Sequence, residues 1–150
     1  MTDAQLFGIA NTVPLLGWLA LLLAPLRREA LIAAARVIAV VLAVGYVVLI
    51  GWRMSTAPAG FDPASFSTLD GLARAFGNPG VMLVGWVHYL AFDLWTGAWE
   101  AEEAGRRGLP HAAVLPCLAL TFLAGPIGLA LFLALRAGWR RVPSRAAAAR

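Results

Sequence analysis

The sequence predicts an all-α integral membrane protein: a four-helix bundle with a short interfacial helix between its second and third spans. Of the 150 residues, 61% are hydrophobic and 13% are charged, and the mean hydropathy is +0.77. A soluble domain is nearer half apolar and about a quarter charged. The apolar residues also collect into runs long enough for the ~20 residues that a helix needs to cross a bilayer.

Short polar segments separate the predicted spans. Pro25 and the arginines after it close the first span, and Asn78 with Pro79 supplies the N-cap and first helical position of the third. We expect one transmembrane domain, 1–137, followed by a basic cytoplasmic tail, 138–150. The spans are placed at about 5–24, 30–52, 79–101 and 112–135.

The segment between spans two and three predicts the interfacial helix. Ser67 followed by Asp70 resembles a capping box, and apolar residues recur at helical spacing as far as Phe76. A short helix on the membrane surface is the interpretation that fits this spacing. An ordered loop with a single helical turn is the alternative.

The charges limit the partners and favour an orientation. There are 12 cationic residues, all arginine, so no lysine amine can form a Schiff base. The net charge of +4 is scattered among apolar spans, which predicts no nucleic-acid binding and a basic tail beside anionic lipid. More arginines lie on the face with the 53–78 loop and both predicted termini, so we expect both termini to be cytoplasmic. Cys117 is the single cysteine and cannot form an intrachain disulfide.

Polar side chains inside the predicted spans are the candidate functional residues, because hydrocarbon offers no water to solvate them. At 1.5 Å per residue they sort into two depths. We therefore predict two polar layers inside the bundle. One holds Asn11, Tyr46 and His88, and the other holds Arg36, Asp93 and Thr121, with Glu100 and His111 nearer the surface.

Span three carries most of these groups. Tyr89 lies one turn before Asp93, so its phenol is placed to donate a hydrogen bond to the carboxylate. An ionised Asp93 needs a donor such as Arg36, whereas a protonated one is a general acid. The alternative is that these residues only hold the helices in register. Helical spacing puts Trp86, Tyr89, Asp93 and Glu100 on one face, and His88, Phe92, Trp95 and Trp99 on a neighbouring face.

The remaining signals concern metals and helix shape. His88 and His111 are separated by roughly half the bilayer, so they are poorly placed as one haem's axial pair. With Asp93 and Glu100 they show no tight ligand spacing, so we predict no metal site and leave any cofactor unassigned. Gly97 leaves room for a ligand or a close helix. Gly125-Pro126 with Gly128 should kink span four and open a cavity.

The third and fourth spans carry a motif pattern. It consists of WVHYLAFDL at 86–94 with Gly97, LPH at 109–111, and Phe122 followed by Gly125-Pro126 and Gly128-Leu129. Over about 69–133 this resembles the abscisic-acid-deficient-four-like family, integral membrane proteins related to a plant neoxanthin-synthesis factor. The arginine- and alanine-rich, lysine-free composition, with no transit or cleaved signal segment expected, suggests a bacterial member in the inner membrane.

The resemblance implies a carotenoid or similar isoprenoid as substrate or ligand. The plant step opens an epoxide and forms an allene, which needs an acid at the epoxide oxygen and a base for a carbon-bound proton. The hypothesis is an isomerase-type enzyme in which Asp93, backed by Tyr89, supplies one role and His88 or Glu100 the other. Further ligand contacts are expected from Arg36, Trp86, Phe92, Trp95, Trp99 and His111.

Two alternatives remain open beside the enzyme. One is a non-catalytic carotenoid- or lipid-binding protein or an assembly factor for a membrane complex, in which the aromatic stripe lines a groove. The other is a structural four-helix subunit without a ligand. A homo-oligomer is compatible with each of them.

Overall fold

The computed structural model describes residues 1–56 and 62–139, and the helices run through most of this part of the chain. The predicted all-α class is confirmed. Within the predicted tail, residues 140–150 lie outside the described part of the chain. The elements are α1 (Asp3–Leu22), α2 (Arg28–Thr56), a 3₁₀ helix (Pro63–Ser67), α3 (Leu69–Phe76), α4 (Pro79–Arg107) and α5 (His111–Gly138).

The helix ends follow local capping chemistry. Asn78 caps α4 by accepting from the backbone N–H groups of Gly80 and Val81, as the sequence predicts. At the other end Gly108 takes the left-handed conformation, φ 70°, which glycine adopts without penalty. The short helix α3 is present as predicted. Its cap is Thr68, however, and not Ser67.

Three helices run side by side along the bundle, with α2 antiparallel to α1 and α4. Arg53 of α2 pairs with Asp3 and lies against Gly80, which defines the amino-terminal end of the bundle. Arg36, nearer the start of α2, pairs with Glu102 near the end of α4. We call this second end the arginine end, because it carries Arg27, Arg28, Arg36, Arg106, Arg107 and Arg136.

Helix α5 folds back on itself instead of continuing straight. Ala124 has φ −157° and ψ 56°, outside the helical region. A Cβ placed on Gly128 would overlap the backbone nitrogen and hydroxyl of Thr121, whereas residues seven apart in a straight helix are separated by about 10 Å. The kink expected at Gly125-Pro126 is therefore a tight hairpin with two arms, 111–123 and 125–138.

Both ends of the hairpin lie at the arginine end. In the second arm, Phe132 meets Trp99 of α4 with ring centroids 5.4 Å apart, and the Arg136 Nε lies 3.3 Å from an oxygen of Glu103. In the first arm, His111 reaches the Leu22 carbonyl at the end of α1. The fourth span, which the sequence predicts to be kinked at Gly125-Pro126, thus bends far enough for its two arms to touch. Pro126 lacks the N–H that would continue the helix, and Gly128 lets the arms touch.

Three helices, α1, α2 and α5, are long and apolar enough to cross a membrane by length and composition. Helix α4 is more polar, yet it packs against all three of them and contributes much of the buried surface. Its glycines permit this close approach, since a Cβ on Gly97 would collide with the Trp18 ring of α1. Gly97 therefore makes room for a helix, which is one of the two predicted alternatives.

Candidate functional site

The polar residues of α4 divide between two surroundings. His88 is exposed on the side of α4 that faces α2. Asp93 and Glu100 face the α5 hairpin instead. The predicted acid–base set is therefore not assembled around one point, because residues five apart on a helix differ in direction by about 140°.

A groove open to the outside runs between α2 and α4. Near the amino-terminal end it holds a cavity of about 410 Å³, lined by Tyr46, Phe76, Gly85 and His88 among others. A second cavity of about 280 Å³ continues toward the arginine end, lined by Ala39, Val40, Ala43, Ala91, Phe92 and Trp95. The His88 and Phe92 rings stack with centroids 4.6 Å apart and so link the two cavities. We call this surface the α2–α4 groove.

His88 and Tyr46 are neighbouring polar side chains in the lining of this groove. Their ring centroids lie 5.3 Å apart at an interplanar angle of 61°. The sequence predicted the two residues at one depth but did not include Tyr46 among the site residues. Equal depth could have identified Tyr46 as a site residue, because a phenol and an imidazole at the same depth on facing spans are within reach of each other. The pair offers two groups that can donate or accept a proton beside an apolar ligand.

Asp93 lies against the turn of the α5 hairpin. A Cβ on Gly125 would collide with the Asp93 carboxylate, so the carboxylate lies directly against the turn. The second arm begins here, and the N–H groups that open a helix attract a carboxylate. Arg36, which the sequence suggests as the donor that an ionised Asp93 needs, pairs with Glu102 instead. Within the described residues the Asp93 Oδ2 is buried and has no hydrogen-bond partner.

Glu100 is the most enclosed acid of the bundle, with no exposed surface. The Thr121 hydroxyl lies 2.9 Å and 3.1 Å from its two carboxylate oxygens and donates to them. Thr121 belongs to the first arm and also touches Gly128 of the second. Glu100 is therefore sealed between α4 and the hairpin, away from the α2–α4 groove.

Arg36 marks the arginine end of the groove. Its guanidinium lies 5.6 Å from the ring centroid of Trp95, a groove-lining residue. The hydrogen bond that Arg36 donates to Glu102, together with the charges of Arg36 and Arg106, holds the pKa of that carboxyl below its ordinary value. Glu102 lies just beyond the predicted span 79–101.

The other predicted ligand contacts have structural partners. The Trp86 indole N–H donates to the Asn11 side chain at 3.0 Å, and the Trp86 ring stacks on Tyr89 at 5.4 Å. Trp99 packs on the hairpin with Phe132, so it leaves the stripe to which helical spacing assigned it. A ring nitrogen of His111 lies 3.2 Å from the Leu22 carbonyl. Of the predicted set, His88, Phe92 and Trp95 line the groove, and Arg36 borders it.

The chain belongs to the ABA DEFICIENT 4-like (ABA4-like) family, whose family description matches residues 5–132. The match covers α1 from residue 5, then α2, α3 and α4, and α5 as far as Phe132. It relates the chain to membrane proteins of carotenoid and neoxanthin metabolism. No curated protein and no solved structure matches the chain.

Proposed function

We propose that this member of the ABA DEFICIENT 4-like family binds a carotenoid or similar isoprenoid in the α2–α4 groove. The observation that carries the proposal is a pair of neighbouring apolar cavities between α2 and α4, with the stacked rings of His88 and Phe92 between them. Three alanines (Ala39, Ala43, Ala91) leave space, and aromatic rings (Phe76, Phe92, Trp95) offer flat faces. Such a surface suits a long, flat, unsaturated chain, because stacking and dispersion act along its whole length.

The groove also explains how the ligand would enter. Phe92 and Trp95 are exposed on the outside of the helices, at 62% and 47% of their surface. A ligand dissolved in the bilayer therefore reaches the groove sideways, without crossing water. A concave, mostly apolar surface lined by aromatic side chains is typical of a ligand-binding site.

Filling the groove tests the proposal. Ala43→Trp places an indole in the cavity of about 280 Å³, while Ala34→Trp adds the same side chain elsewhere on α2, at an exposed position outside the groove lining. Each variant is expressed in a carotenoid-making host, purified in mild detergent and analysed by absorbance and mass spectrometry. We expect the wild type and Ala34→Trp to retain the isoprenoid and Ala43→Trp to lose most of it. Equal ligand content in all three, or none in the wild type, contradicts the proposal.

The second candidate is isomerase-type chemistry on the bound ligand, favoured by the His88–Tyr46 pair. Epoxide opening needs an acid and a base close to adjacent atoms, and these two rings are neighbours inside the groove. His88→Gln and Tyr46→Phe should then abolish a product that appears on wild-type expression, yet leave binding in place. If expression of the wild type leaves the carotenoid profile of the host unchanged, the catalytic candidate fails and binding remains the proposed function.

The placement in the membrane forms part of the proposal. We infer that α1, α2 and α4 cross the inner membrane of a bacterium and that α5 enters and leaves at the arginine end. Six described arginines (27, 28, 36, 106, 107 and 136) lie at or near that end, against Arg53 and Arg74 at the other. Arginines accumulate on the cytoplasmic side, so the arginine end faces the cytoplasm. The N-terminus then lies outside, in contrast to the expectation that both termini are cytoplasmic.

A further inference from the structure

A polar cavity of about 570 Å³ lies between α2 and α4 at the arginine end. Its charged lining consists of Arg28, Arg36, Arg106, Glu29 and Glu102. It adjoins the α2–α4 groove but is separate from the His88 region, and neither the family match nor the proposed function assigns it a role. Three guanidinium groups face two carboxylates, so the lining carries a formal excess of one positive charge.

The three arginines of the lining differ in their ion-pair partners. Arg36 and Arg106 both pair with Glu102, and Arg106 also lies 4.0 Å from an oxygen of Glu103. Arg28 makes no ion pair within residues 1–56 and 62–139; its guanidinium lies over the α4 backbone at Gly105. The Arg36 Nε is buried and, among the same residues, has no hydrogen-bond partner. The cavity is therefore lined by Arg28, which has no carboxylate partner among these residues, and by the partly exposed side chain of Arg36, which shares Glu102 with Arg106.

An anion with several oxygens fits these donors. Guanidinium groups bind phosphate through paired hydrogen bonds. Arg28 and Arg36 lie about two turns apart on α2, so both can donate such bonds to one phosphate. Basic cavities between transmembrane helices on the cytoplasmic side are suited to anionic lipid headgroups. The geometry of the cavity thus selects phosphate chemistry.

The surroundings of the cavity select a lipid over a free ion. Arg36 lies over Trp95, and beyond Trp95 the exposed ring of Phe92 continues the apolar surface toward the membrane interior. A phosphate held by Arg28 and Arg36 would therefore have an apolar track directly below it for an acyl chain. We propose that this cavity, the arginine-end cavity, binds the phosphate headgroup of an anionic membrane lipid, with one chain lying over Trp95 and Phe92.

Neighbouring arginines provide a matched test. Arg28→Gln removes a cavity-lining charge, whereas Arg27→Gln removes the same charge from an exposed position outside the lining. The purified proteins are titrated in mild detergent with phosphatidylglycerol, phosphatidylcholine or inorganic phosphate, and binding is followed by native mass spectrometry and thermal unfolding. We expect the wild type and Arg27→Gln to prefer phosphatidylglycerol. Arg28→Gln should bind it about fivefold more weakly, the contribution of one arginine near an anionic surface.

The other outcomes overturn the proposal. Equal loss in Arg27→Gln and Arg28→Gln means that diffuse surface charge, and not the cavity, attracts the lipid. Equal binding of phosphatidylcholine excludes selection for an anionic headgroup, and phosphate alone matching the lipid excludes the role of the chain. If Arg28→Gln does not fold, the comparison of the three ligands on the wild-type protein still tests the proposal. Ala43→Trp also fills the cavity lined by Trp95 and Phe92, so it affects both proposals. Arg28→Gln changes the headgroup cavity and leaves that apolar surface intact, so loss of phosphatidylglycerol with retained isoprenoid separates the two proposals.

Discussion

Replacing Gly128 with alanine tests whether α5 is a hairpin. An alanine Cβ at this position would overlap the backbone nitrogen and the hydroxyl of Thr121 in the opposite arm. Backbone atoms cannot move aside as a flexible side chain can, so the arms must separate. Overpacking costs about 1–3 kcal/mol and occasionally more, and we expect the upper part of this range, about 3 kcal/mol.

Gly45→Ala is the matched control. Gly45 also lies inside a long helix, but nothing lies within 4 Å of a Cβ placed there. In a helix alanine is favoured over glycine by about 0.5–1 kcal/mol, so the control should be slightly stabilised. At about 2–4 °C per kcal/mol for a chain of this size, Gly128→Ala should melt about 6–12 °C below wild type. If Gly128→Ala melts at or above the Gly45→Ala protein by tryptophan fluorescence in mild detergent, the hairpin packing is wrong.

Three further outcomes follow from contacts already described. Thr121→Val should lower the free energy of unfolding by about 1–3 kcal/mol, because the buried Glu100 loses its donor; Thr121→Ser should restore most of it, as measured by thermal unfolding. The pKa of Glu102 is lowered in the folded state, so its pairing stabilises the protein above the ordinary carboxyl pKa and is lost as the pH falls through the folded value. The stability of Glu102→Gln, followed by fluorescence during acid unfolding, should therefore depend less on pH than that of the wild type. An unchanged pH profile contradicts this pairing. Periplasmic-only and cytoplasmic-only reporters fused after residue 139 and before residue 1 should place the carboxyl end inside and the amino end outside; the reverse result refutes the arginine count as a guide to orientation.

The sequence predicts those parts of the fold that depend on local chemistry. Apolar runs, the Asn78-Pro79 start of α4 and the short helix α3 all follow from hydropathy, capping and periodicity within one segment. The hairpin does not follow in the same way. Gly125-Pro126 predicts a kink, but the angle depends on whether the second arm packs better against Trp99 and Glu103 than against lipid. That comparison involves residues far apart in the chain.

The candidate site shows the same limit. Equal depth places Tyr46 near His88, and the two rings do meet. Equal depth also suggests Arg36 for Asp93, but Arg36 pairs with Glu102 instead, because depth does not specify direction around the helix axis. Asp93 and Glu100 were predicted to share a face, and both do face α5. Which helix would occupy that face could not be inferred from spacing along α4 alone.

In the proposed membrane placement, the folded-back α5 makes the molecule wider in the leaflet at the arginine end than in the other leaflet. At the arginine end five helical segments lie abreast, whereas toward the amino-terminal end α5 is absent and α1 and α4 border a recess of about 420 Å³ lined by Phe7, Met82 and Trp86 among others. Acyl chains of that leaflet must fill the space beneath the turn. We therefore expect a wedge-shaped protein that settles most readily where the bilayer bends around its broad side.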